Sequence, residues 1–262
     1  MSKIREAVSK HPVAFALLAT VALILLYAIA AIVAQVASDG DVSRQVAESL
    51  ARLGATALIV VLIRRLGLLM DSGVANAGVG WVWLLALGSA AYRVLAHSYG
   101  FFGEFGLGFT PSPRSLAVAL NGSAAGLLEE VTFRGAILAM LLRSWRMAPG
   151  GVFRAVWLTA AVFGASHLIW IAMGRPAPLV GMLVLDATLA GVFYAALTIR
   201  ARSVWPAVLL HLAINAYVGA RAVSLPEFAE TVSGWLVILL SAVPLMMLGL
   251  WLVRKRAEPA EA

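Results

Sequence analysis

The sequence has no cysteine and few charged residues. The absence of cysteine among its 262 residues excludes disulfide bonds, thiolate metal ligands and cysteine nucleophiles. Charged residues make up only 13% of the chain and hydrophobic residues 62%, and the mean hydropathy is +0.93. A soluble domain of this length needs more polar residues to cover its surface. The composition therefore predicts an integral membrane protein.

The basic residues do not form a single patch. The net charge of +7 would suit a nucleic-acid-binding protein only if the Lys and Arg residues clustered on one soluble face. They lie instead in short tracts between apolar segments, such as Arg64-Arg65 and Arg254-Lys255-Arg256. Such tracts are typical of cytoplasmic loops. We therefore expect the lipid bilayer, and no nucleic acid, as a partner.

Apolar segments long enough to cross a bilayer, which takes about 20 residues each, recur along the chain. The eight predicted spans are 13–37, 48–70, 79–97, 115–142, 152–171, 179–199, 203–221 and 232–253. Most basic tracts fall on one side if both termini are cytoplasmic. The sequence thus predicts an all-α, polytopic transmembrane bundle of about eight helices, forming one domain over 1–262. The segment from Tyr99 to Arg114, rich in Gly, Phe and Pro, is predicted to be a loop.

The fourth predicted span carries charges that are costly inside a membrane, at roughly 2.5 to 3.5 kcal/mol each. Glu129, Glu130 and Arg134 lie near its middle. Glu130 and Arg134 are four residues apart and share a helix face, whereas Glu129 is rotated about 100° away. We predict that Arg134 pairs with Glu130 and leaves Glu129 unpaired. An unpaired carboxylate suits a general base that activates water.

Two other spans each carry a polar pair at i, i+4 spacing. Phe163 precedes His167 in the fifth span, and its ring is predicted to pack on the imidazole. His211 precedes Asn215 in the seventh span. This pair can direct two donors at one point, as an oxyanion hole requires.

Three other polar residues also lie within spans: Arg93, His97 and Asp186. We interpret them as structural residues, because an isolated buried polar group more often supports packing than catalysis. Asp186 is the exception to consider first, since it lies in mid-span.

In this order, the three motifs resemble those of the CPBP family, which comprises CAAX proteases and bacteriocin-processing proteins, including Abi-like members. The shared features are a glutamate pair followed by arginine, a Phe-x-x-x-His segment and a His-x-x-x-Asn segment, here within Gly126–Gly135, Phe163–His167 and His211–Asn215. The resemblance covers a core of about 115–221.

The resemblance implies an intramembrane endopeptidase. It implies that Glu129 and His167 activate water and that His211 and Asn215 stabilise the oxyanion, with Glu130, Arg134 and Phe163 in supporting positions. The substrate would be a membrane-associated peptide or protein, lipidated in some relatives. The implied location is the cell membrane, and the preference for Arg over Lys favours a bacterial plasma membrane.

Family members are often described as metalloproteases, so a zinc site on Glu129, His167 and His211 is the alternative to metal-free hydrolysis. We favour hydrolysis without a metal, because Asn is a poor zinc ligand and no H-E-x-x-H pair is present. Two non-proteolytic functions also remain open: a non-catalytic binding or immunity protein, and a proton-coupled transporter.

Overall fold

The computed structural model describes residues 2–102, 111–224 and 232–257, and these residues are helical and contain no strand. Each of the eight predicted spans falls on a helical segment. The elements are α1 Ser2–Lys10, α2 Pro12–Ala37, α3 Asp41–Arg65, α4 Gly80–Phe102, α5 Pro113–Glu130, a π-helix Val131–Leu138, α6 Ala139–Trp145, α7 Gly151–Ser166, α8 Ile169–Ala172, α9 Ala177–Ala201, α10 Trp205–Ser224 and α11 Val232–Ala257.

Within the described parts of the chain, four stretches are long and apolar enough to cross a membrane. They are Pro12–Ala37, Asp41–Arg65, Gly151–Ala172 and Ala177–Ala201. The fourth predicted span, 115–142, is not among these four stretches. It carries three charged residues, Glu129, Glu130 and Arg134, inside the bundle. The number of crossings, eight, and the cytoplasmic location of both termini stay predictions.

The distribution of polar residues supports a bilayer environment. Large apolar side chains on α2, such as Leu18 and Ile32, are 69% and 64% exposed. Arg93 and Arg134, by contrast, are each 1% exposed. Apolar residues outside and charged residues inside are expected when the surrounding solvent is lipid.

Local sequence explains several helix ends. Pro12 and Pro113 lie in the first turns of α2 and α5, where proline needs no hydrogen-bond donor. The Ser112 hydroxyl caps α5 by accepting from the Ser115 amide at 3.0 Å. The carboxyl end of α4 extends to Phe102 and thus into the predicted loop of 99–114. Residues 103–110 of that loop lie outside the described residues.

The π-helix interrupts the fourth segment directly after the two glutamates. Sequence periodicity predicts one continuous α-helix here, so the wider turn from Val131 to Leu138 is a correction to that expectation. All eight of its residues are buried. Such segments are rare and occur frequently at functional sites.

The packing order brings the motif-bearing helices together. α5 packs between α3 and α10, and α7 and α11 both pack on α9. α4 contacts α10 and α11. Side chains from α5, α7, α9 and α10 therefore meet in the middle of the bundle.

Candidate active site

The predicted ion pair within the fourth segment is present. Arg134 Nη1 donates to Glu130 Oε1 at 2.8 Å, and both side chains are fully buried. Arg134 Nη2 also donates to the Gly191 carbonyl of α9 at 3.3 Å. The pair thus joins the π-helix to α9.

Aromatic rings surround the Arg134 guanidinium. Its central carbon lies 4.4 Å from the Phe163 ring centroid and 5.1 Å from that of Tyr194. Phe133 packs edge-on against Phe163 at 5.0 Å. Desolvated cation–π contacts of this kind contribute about 2 kcal/mol each, so the Phe163 ring stabilises the buried guanidinium.

His211 lies between the two glutamates. Its Nδ1 is 2.7 Å from Glu130 Oε1, and its Nε2 is 3.5 Å from Glu129 Oε2. The imidazolium form donates to both carboxylates, whereas the neutral ring donates to Glu130 and leaves Nε2 as an acceptor. Glu130 therefore has two cationic or donor partners, Arg134 and His211, rather than the single partner expected from the helix face.

Glu129 is not free of partners, which corrects the expectation from the sequence. The Tyr27 hydroxyl of α2 donates to Glu129 Oε1 at 2.8 Å and also lies 3.2 Å from the Ala125 carbonyl. The guanidinium of Arg52, from α3, lies 4.9 Å from the Tyr27 ring centroid. Helical geometry correctly predicted that Arg134 pairs with Glu130 and not with Glu129. The partners of Glu129 come from other helices, Tyr27 from α2 and His211 from α10.

Sequence reasoning missed Tyr27 as a site residue. The signal was available: it is the only tyrosine in the first predicted span, an otherwise apolar segment. A phenolic hydroxyl in such a segment needs a hydrogen-bond partner when buried. Nothing local in the sequence identifies that partner as Glu129.

His167 follows the last residue of α7. Its Nδ1 lies 3.0 Å from the Phe163 carbonyl, and the two rings pack edge to face at 5.2 Å, as the i, i+4 spacing predicted. Because a carbonyl only accepts, Nδ1 carries the proton in this contact. Nε2 of the neutral ring is then left with a lone pair that accepts a proton.

Asn215 lies one turn beyond His211 on α10, and both face α5. Asn215 Nδ2 donates to the Gly122 carbonyl at 3.1 Å. The second hydrogen of this amide is not used in that bond. A Cβ atom at Gly126 would lie 3.3 Å from Asn215 Nδ2 and 3.4 Å from the His211 ring, so the glycine allows the two helices to approach closely.

A cavity of about 70 Å³ connects the histidines and the asparagine. His167, His211 and Asn215 line it together with Arg93 and Asp186. The volume accommodates water, and its walls offer several polar partners. Glu129 does not line this cavity, but it lies 3.5 Å from Nε2 of His211, which does.

Arg93 and Asp186, which line the same cavity, form an ion pair. Arg93 Nη2 lies 2.7 Å from both Asp186 oxygens, and Arg93 is almost fully buried. His97 Nδ1 is 2.7 Å from the Arg93 carbonyl. These residues form an ion-paired group, consistent with a structural role, but the sequence did not predict that two of them line the same cavity as His167.

We tested whether the residues fit a metal ion. Among the described residues, no group of three His, Cys, Asp or Glu side chains is placed to hold one. Glu129 and His211 are adjacent, and the Nδ1 contact of His167 with a backbone carbonyl leaves its Nε2 available. The described residues nevertheless do not bring Glu129, His167 and His211 together as a three-ligand group, so this set does not fit a metal in this arrangement.

The comparison with family models matches this region of the chain. Residues 110–217 match the model described as type II CAAX prenyl endopeptidase Rce1-like. No curated protein and no solved structure matches the chain. The matched range closely overlaps the predicted core of 115–221 and contains all three motifs. Tyr27 and Arg93 lie outside it. On these residues and this match, the segment 110–217 is similar to the Rce1-like type II CAAX prenyl endopeptidases.

Proposed function

We propose that this protein is an intramembrane endopeptidase that hydrolyses a peptide bond of a membrane-associated or lipidated substrate by means of glutamate-activated water. The observation that carries the proposal is the placement of Glu129. Its carboxylate is held by the Tyr27 hydroxyl and the His211 imidazole, and His211 in turn lines a polar cavity. A fixed carboxylate within reach of a water molecule is what general-base hydrolysis requires.

In the proposed reaction, a water molecule in the cavity loses a proton to Glu129, assisted by His167. The hydroxide oxygen adds to the carbonyl carbon of the scissile bond. The developing negative charge on the carbonyl oxygen is stabilised by two donors: the Nε2–H of His211 in its imidazolium form, which is released once Glu129 has taken the proton, and the free hydrogen of the Asn215 amide. The proton then passes to the leaving nitrogen, and the C–N bond breaks.

Glu130 and Arg134 take no direct part in this scheme. Their fully buried pair orients His211, since Glu130 Oε1 contacts both Arg134 and the imidazole. A metal has no assigned step, because the described residues bring no three ligating side chains together.

The substrate class follows from the location of the site. The reacting groups lie on helices within the bundle, so a peptide bond must reach them at or within the bilayer. A membrane-associated peptide meets this condition, and a lipid modification would retain it there. We place the protein in the plasma membrane of a bacterium as a multi-pass protein.

The test is cleavage by the purified full chain in detergent. A library of membrane-associated peptides, with and without a prenyl group, is incubated with the protein, and the products are identified by mass spectrometry. We expect cleavage by the wild type and none by Glu129→Gln. Arg114→Gln is the matched control, because Arg114 is exposed, pairs with Asp41 and lies at the start of α5, about four helical turns before Glu129.

The alternatives predict different outcomes. A binding or immunity protein would retain peptides without cleaving them, in both the wild type and Glu129→Gln. A proton-coupled carrier would move a solute across proteoliposomes and produce no new peptide ends. Either result would contradict the proposed hydrolysis.

A further inference from the structure

A second, larger cavity lies at the ends of several helices. Its volume is about 830 Å³, and its walls come from the ends of α6 and α9, the start of α7, the segment after α3 and the last turns of α11. In the predicted topology these ends all lie on the cytoplasmic side. The size is at the upper end of the range for ligand cavities.

The rim of this cavity is basic. Arg143, Arg146 and Arg202 contribute to its lining and are exposed. Arg143 lies 3.1 Å from Asp71, the only acidic residue in the lining. Arg146 and Arg202 make no ion pair with the described residues. The rim therefore carries two positive charges that no acidic side chain of residues 2–102, 111–224 or 232–257 neutralises.

The interior of the cavity is lined mainly by apolar side chains, with Thr198 and Arg134 as the polar residues there. Leu138, Leu142, Phe153, Ile199 and Val253 line it below the arginines. A free anion would use the rim alone and leave this apolar wall exposed. An amphiphile with an anionic head and a hydrocarbon chain contacts both parts.

The backbone of Arg202 is a separate observation. Arg202 follows the last residue of α9 with φ 54° and ψ 34°, and it is the only described non-glycine residue with positive φ. Glycine is the usual residue at such a helix end, because a side chain is strained there. Strained positions of this kind cluster at ligand-binding sites. Arginine occupies this position although its side chain has no acidic partner among the residues that the structure describes.

The position along the membrane normal agrees with a headgroup site. Trp145, stacked under Arg154 at 5.6 Å, and Trp205 lie at the same ends of the bundle. Tryptophan prefers the membrane–water interface, and basic pockets between membrane helices on the cytoplasmic side bind anionic headgroups.

We propose that this cavity binds the phosphate-bearing headgroup of an anionic membrane lipid, with Arg146 and Arg202 on the phosphate and one acyl chain along the apolar wall. The cavity also extends to Arg134, whose other side pairs with Glu130. A bound lipid would therefore fill the space behind the buried ion pair. The binding site is independent of whether the protein is a protease.

The test measures the thermal stability of the delipidated full chain in neutral detergent at constant ionic strength. Phosphatidylglycerol, phosphatidylcholine and inorganic phosphate are titrated separately. We expect phosphatidylglycerol to raise the Tm at concentrations where the other two have little effect. Arg146→Gln and Arg202→Gly should each weaken the apparent affinity about fivefold, as the loss of one basic contact implies.

Two features keep the result interpretable. Arg202→Gly suits the left-handed backbone, so the lipid-free protein should be at least as stable as the wild type, and a lost response cannot reflect misfolding. Arg64→Gln removes an exposed arginine outside the cavity lining and should leave the response unchanged.

Three outcomes would overturn the proposal. The first is that the proposed selectivity is missing: phosphatidylcholine raises the Tm as much as phosphatidylglycerol does, or phosphatidylglycerol raises the Tm of Arg146→Gln and Arg202→Gly as much as that of the wild type. The second is full replacement by inorganic phosphate, which would make the ligand a free ion. The third is a prenylated peptide lacking phosphate that binds with the same dependence on both arginines, which would make the cavity a substrate site.

Discussion

At the scale of single residues, Glu129 and Glu130 are adjacent in the sequence but differ in burial and partners. Glu130 is fully buried and contacts both Arg134 and His211. Glu129 is 15% exposed and is held by the neutral hydroxyl of Tyr27 as well as by His211. The first arrangement compensates a buried charge, and the second leaves a carboxylate near the cavity.

We predict that substitutions of the two glutamates have different effects. Glu129→Gln should abolish cleavage and leave the Tm in detergent unchanged or higher, because the amide keeps the size and removes a partly buried charge. Glu130→Gln and Arg134→Ala should lower the Tm, since breaking a buried pair costs about 3 to 5 kcal/mol. The measurement pairs expression and Tm with peptide cleavage for each variant.

One result would reverse this assignment. If Glu129→Gln retained cleavage while Glu130→Gln abolished it at full stability, Glu130 would be the base and Glu129 its structural neighbour.

Tyr27 is predicted to position Glu129. Tyr27→Phe removes the hydroxyl that donates to Oε1 and keeps the ring under Arg52. The Glu129 carboxylate can then rotate, so kcat should fall about tenfold to a hundredfold. KM should change little, because the substrate does not need the Tyr27 hydroxyl for binding. Steady-state kinetics of the purified variant provide the measurement.

The control for this variant is Tyr92→Phe. The Tyr92 hydroxyl donates to the Leu240 carbonyl of α11, away from the three motifs. The Tyr92→Phe substitution also removes a phenolic hydroxyl, and it should leave kcat unchanged. Equal losses in both variants, or a fall in the Tm of Tyr27→Phe that accounts for its lost activity, would contradict a positioning role.

At the scale of secondary-structure elements, the contact between α5 and α10 determines where His211 and Asn215, the proposed oxyanion donors, lie. Gly122 and Gly126 on α5 are spaced like His211 and Asn215 on α10. Gly122 faces Asn215, and Gly126 faces both residues. A Cβ atom at Gly122 would lie only 2.9 Å from the Asn215 carbonyl oxygen. The helices must separate to accept any side chain there.

We therefore predict that Gly122→Ala lowers both activity and stability. Overpacking of this kind typically costs about 1 to 3 kcal/mol, and the shift would move Asn215 away from the cavity. Gly54→Ala and Gly88→Ala are matched controls, because their Cβ atoms would meet nothing within 4 Å. These variants should gain about 0.5 to 1 kcal/mol from better helix propensity. Similar Tm and cleavage for all three variants would refute the close-packing argument.

The π-helix has a similar positional effect. Residues before it, such as Glu129, and residues within it, such as Arg134, belong to turns of different width. The i, i+4 pair between Glu130 and Arg134 still forms. The wider turns of the π-helix change the angle around the helix axis at which each later side chain projects. A helical wheel drawn for α5 is therefore increasingly inaccurate for the residues after Val131.

At the scale of the whole molecule, ion pairs between segment ends show which ends lie together. Arg143 pairs with Asp71 at one end of the bundle, and Arg114 pairs with Asp41. In the predicted topology the first pair is cytoplasmic and the second is external.

The absence of cysteine makes this topology directly testable. We expect Arg64→Cys and Arg143→Cys to react with a membrane-impermeant maleimide only in inverted vesicles, and Arg114→Cys only in intact cells. The native chain provides an unlabelled background. Labelling of Arg64→Cys and Arg114→Cys from the same side would contradict the predicted order of crossings.

Metal dependence is also a property of the whole enzyme. We predict that EDTA and phenanthroline leave cleavage largely intact, since the proposed reaction assigns no step to a Lewis acid. Activity is measured before and after chelation, with the Tm as a check on folding. Loss of activity that added zinc restores would favour the alternative ligand set Glu129, His167 and His211.

The sequence by itself determined the features that depend on short chain separations. Runs of apolar residues predicted all eight helical segments, and i, i+4 spacing predicted the Glu130–Arg134 pair and the packing of Phe163 on His167. These predictions succeed because helix geometry relates neighbouring residues regardless of the rest of the fold.

Only the tertiary structure decided the contacts between distant segments. Tyr27 reaches Glu129 across 102 positions, and Arg93 reaches Asp186 across 93. His211 lies between two glutamates that precede it by about 80 residues. No local pattern encodes these distances, because they depend on the order and depth at which helices pack. In a membrane, a buried polar group is stabilised by whichever helix supplies a partner, and only the packed bundle determines which helix that is.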